Sequence, residues 1–434
     1  MGLAVQPPPI WLTVPTTNLD VRRVVVNLRE PNEIPDAPTE GVLVISSAGR
    51  SNVRLLGWVS FWSGMAQEMV YPLLPTFLVV ALAASRTSLG TVEGLLAVGV
   101  TIARLVTDRR VDHGDSPRRL TRISYAISLI SRPLMAVATA VPIVGVLRVA
   151  DGFGKGGKDA PRDVLVAADT VVGTAGRAFG LQRMLDTLGS VAGPLSVAGV
   201  LFAVGHGETG LRIAFGLSVI PAIGAALCLR RVHDTARVEH DAERPRVPLG
   251  KPFVALAVAV GVFGLANSSD TLLLLRARSA GLTAGELAVL YAGFNLTYAL
   301  LAIPLGVFAD RHGRRPMLIV AWMVYALVYA GFAFAGSAWQ VIVLFLAYGI
   351  YYAAAEGTLK AWIRALVPVE RRGGAYGLLA ATGGFLTLPA SVAAGWLWDH
   401  HGPGPAFAIG AVLSVVAVLV VVLAPALRGA DSGS

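Results

Sequence analysis

The chain has 434 residues, 55% of them apolar and only 15% charged, whereas soluble domains carry roughly 25% charged residues. Its long apolar runs lie near the ~20 residues that cross a bilayer as helix and lack the alternation of barrel strands, which excludes a soluble multidomain protein and a membrane barrel. The formal charge of +9 has no soluble basic domain to sit on, so it reads as the loop bias that orients membrane proteins and not as a nucleic-acid face.

Residues 1–53 are polar, proline-bearing and without a signal-type apolar stretch. They read as a disordered cytoplasmic extension, or as sequence added by an upstream start codon. Apolar spans follow at 55–81, 87–107, 121–140, 142–166, 177–204, 211–230, 253–277, 284–308, 316–335, 338–365, 374–397 and 404–426. Basic residues gather in alternate loops: Arg109, Arg110, Arg118, Arg119 and Arg122 after span two, and Arg230 to Lys251 after span six. Arg311, Arg314 and Arg315 follow span eight, and Arg371 and Arg372 follow span ten. Both termini are therefore expected in the cytoplasm. Residues 231–252, charged and with three prolines, read as a linker between a bundle at 54–230 and another at 253–428, with a tail at 429–434. Cys228 is the single cysteine and the seven histidines fall in loops or at helix ends, so neither a disulfide framework nor a metal site in the membrane is expected.

The halves repeat. Adding 202 to Glu68 in span one gives Asp270 in span seven, and the same offset takes Glu93 to Asn295 and Asp108 to Asp310. After five extra residues in the loop between spans two and three, an offset of 197 takes Asp151-Gly152 to Tyr348-Gly349 and Asp159 to Glu356. It also takes Gly176-Arg-Ala-Phe-Gly-Leu to Gly373-Gly-Ala-Tyr-Gly-Leu. The expected fold is an all-α membrane protein of twelve transmembrane helices in two pseudo-symmetric six-helix bundles. A parallel repeat of this kind puts a binding site between the halves, near the bilayer midplane.

Gly306-Val-Phe-Ala-Asp310-Arg311-His-Gly313-Arg314-Arg315 resembles the cytoplasmic loop signature G-x-L-a-D-r-x-G-r-R of the major facilitator superfamily, and the resemblance extends over roughly residues 54–428. In that family the Asp and Arg of the loop pair across helix ends and steady one conformation. The first-half copy keeps Asp108-Arg109 but has Arg104 for the leading glycine, so packing of spans two and eleven is expected to differ. Arg148-Val-Ala-Asp151-Gly152-Phe-Gly154 resembles the span-four motif R-x-x-q-G-x-G, and Gly189-Ser-Val-Ala-Gly193-Pro194 the span-five G-x-x-x-G-P found mainly in antiporters. A bare GxxxG is commonly a helix-packing face. Glu68 to Pro75 and Gly154 to Asp163 also look like motifs of a bacterial subgroup.

Charges within spans are costly and usually face a cavity or a partner. Arg148, Asp151, Lys155, Lys158, Asp159 and Arg162 recur at steps of three or four and share a face of span four. The family fold implies that spans one, four, seven and ten line a cavity, so this face is expected to point inward. Two readings stay open: a structural ion-pair lattice, or Arg148 and Lys155 binding substrate while Asp151 or Glu68 handles a proton. Lys158, Asp159, Arg162 and Asp163 are expected to gate. Only four of the 36 basic residues are lysines, yet three of the four, Lys155, Lys158 and Lys360, lie in the repeat-related spans four and ten. Glu68 and Asp270, mid-span and repeat-equivalent, are expected to carry protons; for Glu68 the alternative is a static salt bridge with Arg132 or Arg183. Arg183 with Asp186, and Glu356 with Lys360, read as helix-locking or gating pairs alongside Asp108, Arg109, Asp310, Arg311, Arg314 and Arg315. Tyr348, Tyr351, Tyr352, Asn267 and Asn295 are candidate substrate contacts, or satisfied core residues. Glu93 is expected at an outer gate.

The resemblance implies a secondary active transporter, with proton-coupled efflux of a polar or charged small molecule by alternating access as the leading expectation and organic-anion uptake or exchange as the alternative. An intramembrane enzyme would need a nucleophile–base pair or metal ligands in its spans, and neither a nucleophile elbow nor an HExxH occurs. A non-transporting sensor would need a larger output domain than the termini offer. The expected partners are a small-molecule substrate, protons and the lipid bilayer, with no nucleic acid and no cofactor. The expected state is a multi-pass monomer in the bacterial inner (plasma) membrane.

Overall fold

The computed structural model describes residues 49–170, 175–233, 249–368 and 371–427. Expectations for the N-terminal extension, most of the linker and the C-terminal tail therefore lie outside the described residues. Among those described, fourteen α-helices follow one another without a strand. The first series is α1 (Gly49–Val70), α2 (Arg86–Asp112), α3 (Pro117–Leu134), α4 (Val141–Ala168), α5 (Ala175–Val204), α6 (Glu208–Leu217) and α7 (Val219–Arg230). The second is α8 (Lys251–Ala266), α9 (Asp270–Ser279), α10 (Ala284–His312), α11 (Arg314–Phe334), α12 (Ala338–Leu366), α13 (Arg372–His401) and α14 (Pro403–Leu423).

Nine helical stretches among the described residues are long and apolar enough to cross a membrane, with α6–α7 and α8–α9 each counted as one. The stretches that fall short are informative. α3 carries Arg118, Arg119, Arg122 and Arg132, and α4 carries the charge ladder. Outward-facing Val146, Ile303 and Leu327 are 70%, 77% and 66% exposed, an apolar surface that water would not tolerate and lipid would.

Three interruptions depart from the expected continuous spans. Beyond α1, Pro72 and Pro75 remove backbone donors, and the chain passes through a 3-10 turn at Tyr71–Leu73 and a π turn at Thr76–Ala81. Ser218 separates α6 from α7. The span expected at 253–277 breaks at Asn267-Ser268-Ser269, where Ser269 caps α9 by accepting from the Thr271 N–H. The break puts Asp270 at the first residue of α9.

Within the first series α1 packs on α5 and α7, and α4 on α2 and α3; within the second, α11 packs on α12 and α14, and α10 on α12. The two series meet along α2–α13 and α5–α10. Gly189 and Gly193 lie where α5 crosses α1, and a Cβ at either would meet the Phe61 or Met65 carbonyl. On the α2–α13 seam, Gly90 and Gly395 allow equally close approach to the Ser391 and Arg86 carbonyls. Arg104, where the family pattern has glycine, turns to α4 and pairs with Asp159 at 2.9 Å. Gly313, at φ 99°, makes the tight passage from α10 to α11 that a residue with a Cβ would strain.

Candidate functional site

Four buried charges form a closed lattice inside the first series. The Arg148 guanidinium donates to Glu93 of α2 at 2.7 and 2.8 Å and to Asp151 of its own helix at 3.1 Å. Arg132 of α3 donates to the other Asp151 oxygen at 2.9 Å. All four residues are at most 3% exposed. Two cations and two anions cancel, which is the condition under which buried ions are tolerable. Arg148 and Asp151, expected at the cavity wall, are thus enclosed by their neighbours, and Glu93 pairs with Arg148 in this lattice. Arg132 also donates to the Ser63 carbonyl at 3.1 Å and to Gln67 Oε1 at 3.4 Å, and Gln67 Nε2 donates to Glu68 Oε1 at 2.8 Å. The lattice therefore reaches Glu68 through an amide; no ion pair joins Glu68 to Arg132 or Arg183 among the described residues.

Between the two series lies a cavity of about 690 Å³, walled by Gln67 and Glu68 of α1, the lower charges of α4, Arg183 and Asp186 of α5, Tyr298 of α10 and the Glu356–Lys360 stretch of α12. Glu68 is only 7% exposed; among the described residues its Oε2 meets no donor in full hydrogen-bond geometry, although the Tyr291 hydroxyl is close enough to act on the carboxylate. Lys155 lines the same wall, and among the described residues no partner lies within ion-pair distance of its ammonium. Glu68 and Lys158 line that wall with it. Lys158 is buried against Ser63 Oγ, 3.4 Å away, and the Tyr125 ring.

Asp270 stands at the break between α8 and α9. Its two oxygens accept from the Tyr348 and Tyr352 hydroxyls at 2.8 and 2.9 Å, and no cation pairs with it among the described residues. Tyr348, Tyr351 and Tyr352 pack on one another, Tyr348 and Tyr352 also on Phe294 and Tyr351 on Phe263. The Asn267 Oδ1 is buried without a partner among the described residues, whereas Asn295 donates to the Ser190 carbonyl at 3.2 Å and ties α10 to α5. The Tyr71 and Tyr291 rings lie 5.2 Å apart, and the Tyr291 hydroxyl is close enough to Glu68 to act on its carboxylate. Neither stands out in the sequence, and nothing in the sequence joins Gln67 and Arg132 into a network. Tyr71 had a signal, since it falls three residues after Glu68 in the motif that ends at Pro75.

The cavity mouth is crossed by polar ties between the series. Tyr298 donates to Glu356 at 2.6 Å and accepts from Arg183 at 2.5 Å, while Arg183 lies 3.8 Å from Glu356 and 3.6 Å from Asp186. Lys360 meets Glu356 at 2.7 Å. Arg162 bridges Asp159 at 3.5 Å and Asp163 at 3.0 Å. Asp108 lies within the field of Arg104. Arg315 donates to the last carbonyls of α14, Val421 and Val422, at 3.2 and 2.9 Å. Asp310 and Arg311 make no ion pair among the described residues. At the opposite end, Asp399 of α13 caps α2 across the seam, accepting from the Arg86 and Thr87 N–H groups at 3.0 and 2.9 Å and from the Thr87 hydroxyl at 2.7 Å. The cap joins α2 to α13 at the end opposite the cavity.

Residues 56–275 and 253–433 each match the family model described as Major Facilitator Superfamily. A Methanocaldococcus jannaschii protein described as an uncharacterized MFS-type transporter is 30% identical over 383 residues, 85% of this chain and 94% of that one. Shorter matches reach a probable sulfoacetate transporter of Cupriavidus necator, 32% identical over 27% of this chain and 29% of that one. A multi-drug resistance efflux pump of Streptococcus pneumoniae is 28% identical over 30% of this chain and 34% of that one. Among solved structures, a D-xylose–proton symporter superposes with a TM-score of 0.71 at 16% identity, covering 88% of this chain and 99% of the other.

Proposed function

This chain belongs to the major facilitator superfamily and is a multi-pass membrane transporter, and we propose that it exports a polar or charged small molecule in exchange for protons, with Glu68 as the principal proton carrier. The observation that carries the reading is the Glu68 carboxylate, buried at the cavity wall and without an ion pair among the described residues. A carboxylate so placed alternates between a dry and a wet surrounding as the halves rock, and can load and release a proton in step. Asp270, on the repeat-equivalent helix, is its second-half counterpart. Asp151 is held between two arginines and serves the lattice, so its part in coupling is to keep Arg132 and Gln67 set against Glu68.

With both termini in the cytoplasm of a bacterial inner membrane, the cavity faces the cytoplasm and the Asp399 cap closes the periplasmic side. The Arg183–Tyr298–Glu356 ties would tighten when the cavity closes. Export is supported by the span-five glycine motif and by the efflux pump among the partial relatives. Uptake or exchange of an organic anion is the second reading, supported by Lys155, which has no ion pair among the described residues, and by the sulfoacetate transporter match.

The test uses purified protein in liposomes. Glu68→Gln should abolish transport driven by a pH gradient while leaving substrate exchange at equal pH intact. Full pH-driven transport by that variant would refute the assignment.

A further inference from the structure

Six cations and five carboxylates line the cavity between the two series, and ion pairs account for most of them. Asp159 pairs with Arg104 at 2.9 Å and with Arg162 at 3.5 Å, and Arg162 reaches Asp163 at 3.0 Å, so this group is neutral. Arg183 lies 3.6 Å from Asp186 and 3.8 Å from Glu356, which also takes Lys360 at 2.7 Å, so this group is neutral too. The lattice of Glu93, Arg132, Arg148 and Asp151 cancels as well. Lys155, Lys158 and Glu68 are left on the wall, and among the described residues neither lysine has an ion pair. The Lys158 ammonium, in a residue 7% exposed, is met by the Ser63 hydroxyl at 3.4 Å and the face of the Tyr125 ring at 5.1 Å. A cation so far from water is costly until an anion joins it.

The two lysines stand three residues apart on one face of α4 and line one cavity. With Glu68 ionised the wall keeps an excess of one positive charge; with Glu68 protonated the excess is two. A cation would add to it. A monoanion would close the count only beside an ionised Glu68, which repels it and carries no proton. A dianion closes the count when Glu68 is protonated. Resting on the organic-anion reading above, we infer that the substrate is a small organic dianion, with an acid group at each of Lys155 and Lys158, bound while Glu68 holds a proton. The dianion and the proton then favour each other's binding by the same factor. They cross together, so the inference selects proton-coupled uptake over export in exchange for protons.

The test compares matched probes on the purified full chain in detergent, by equilibrium binding and by ligand-induced rise in melting temperature. One pair is ethane-1,2-disulfonate and 2-hydroxyethanesulfonate; the other is succinate and succinamate. The members of each pair are close in size and differ by one negative charge. In at least one pair the dianion should bind about tenfold or more tightly than the monoanion, the loss expected when one buried charge goes unanswered. Lys155→Met and Lys158→Met should each erase that preference. Lys155→Arg and Lys158→Arg, which keep the charges, should retain it and serve if a neutral variant fails to fold. Glu68→Gln, which stands in for the protonated acid, should bind the dianion about fivefold or more tightly than the wild type at mildly alkaline pH. A monoanion that binds as tightly as its dianion, no dianion binding in either pair, or a Glu68→Gln variant that binds the dianion no better than the wild type overturns the inference. Each would leave pH-driven transport and its loss in Glu68→Gln as they were. A dianion preference in a protein whose transport ignores a pH gradient would instead sink the coupling reading and keep the dianion site.

Discussion

Glu93→Gln is the sharpest probe of the buried lattice. The substitution keeps shape and one hydrogen-bond acceptor but leaves Arg132 and Arg148 sharing the single charge of Asp151. At the 2.7 Å separation of Arg148 and Glu93, an effective dielectric of 20 gives an attraction of about 6 kcal/mol. The retained neutral hydrogen bond recovers part of that, so a net loss of roughly 3–5 kcal/mol is expected, the range for breaking a buried pair by removing one partner. At about 2–3 °C per kcal/mol the melting temperature should fall by roughly 6–15 °C. Intrinsic fluorescence of the eight tryptophans during a thermal ramp in detergent reads this directly. Glu93→Gln combined with Arg148→Gln restores neutrality, because Arg132 and Asp151 remain paired, and should recover at least half of the loss. A single variant that melts with the wild type, or a double variant as unstable as the sum of the singles, would refute the charge-balance reasoning.

Arg183→Gln supplies the contrast. Its pair with Glu356 is 55% and 38% exposed, so stability should change by less than about 1 kcal/mol while the cavity mouth becomes more accessible to a water-soluble thiol reagent on an introduced cysteine in α5. Asp399→Asn removes an anionic cap from α2 worth about 1–2 kcal/mol, which should raise the outward-open population roughly 5–30-fold. Pulsed EPR between spin labels at the outer ends of α2 and α13, with Cys228 replaced by serine, would register a longer distance; an unchanged distribution would remove the latch from the account. Gly90→Val places a side chain against the Ser391 carbonyl and should stop transport without preventing expression, whereas normal exchange rates would mean that the α2–α13 seam need not close.

The helical passes were legible because a helix that faces lipid must be apolar along its length, and caps such as Thr283 with Glu286 mark starts that charge alone would not. The repeat was legible too, since Glu68 and Asp270 keep their offset through a chain that diverged elsewhere. The break before Asp270 was written in Asn267-Ser268-Ser269, a run of capping residues inside an apolar span, but hydropathy averages over three residues and hides it. Pairing was the least legible. Spacing put Arg148 and Asp151 on one face of α4 with Lys155, yet the identity of their partners, Glu93 on α2 and Arg132 on α3, depends on which helices pack where. The same ladder is therefore lattice at its upper end and cavity wall at its lower end, a division that no periodicity along α4 could supply.

The central claim is that Glu68 takes up and releases a proton at the cavity wall, and infrared difference spectroscopy of the reconstituted protein tests it without a known substrate. Titrating the external pH should reveal a carboxylic-acid C=O band that grows as pH falls and is missing from Glu68→Gln while the Asp270→Asn spectrum retains it. Identical titration spectra for wild type and Glu68→Gln would show that Glu68 never changes protonation, and the coupling mechanism would have to be abandoned.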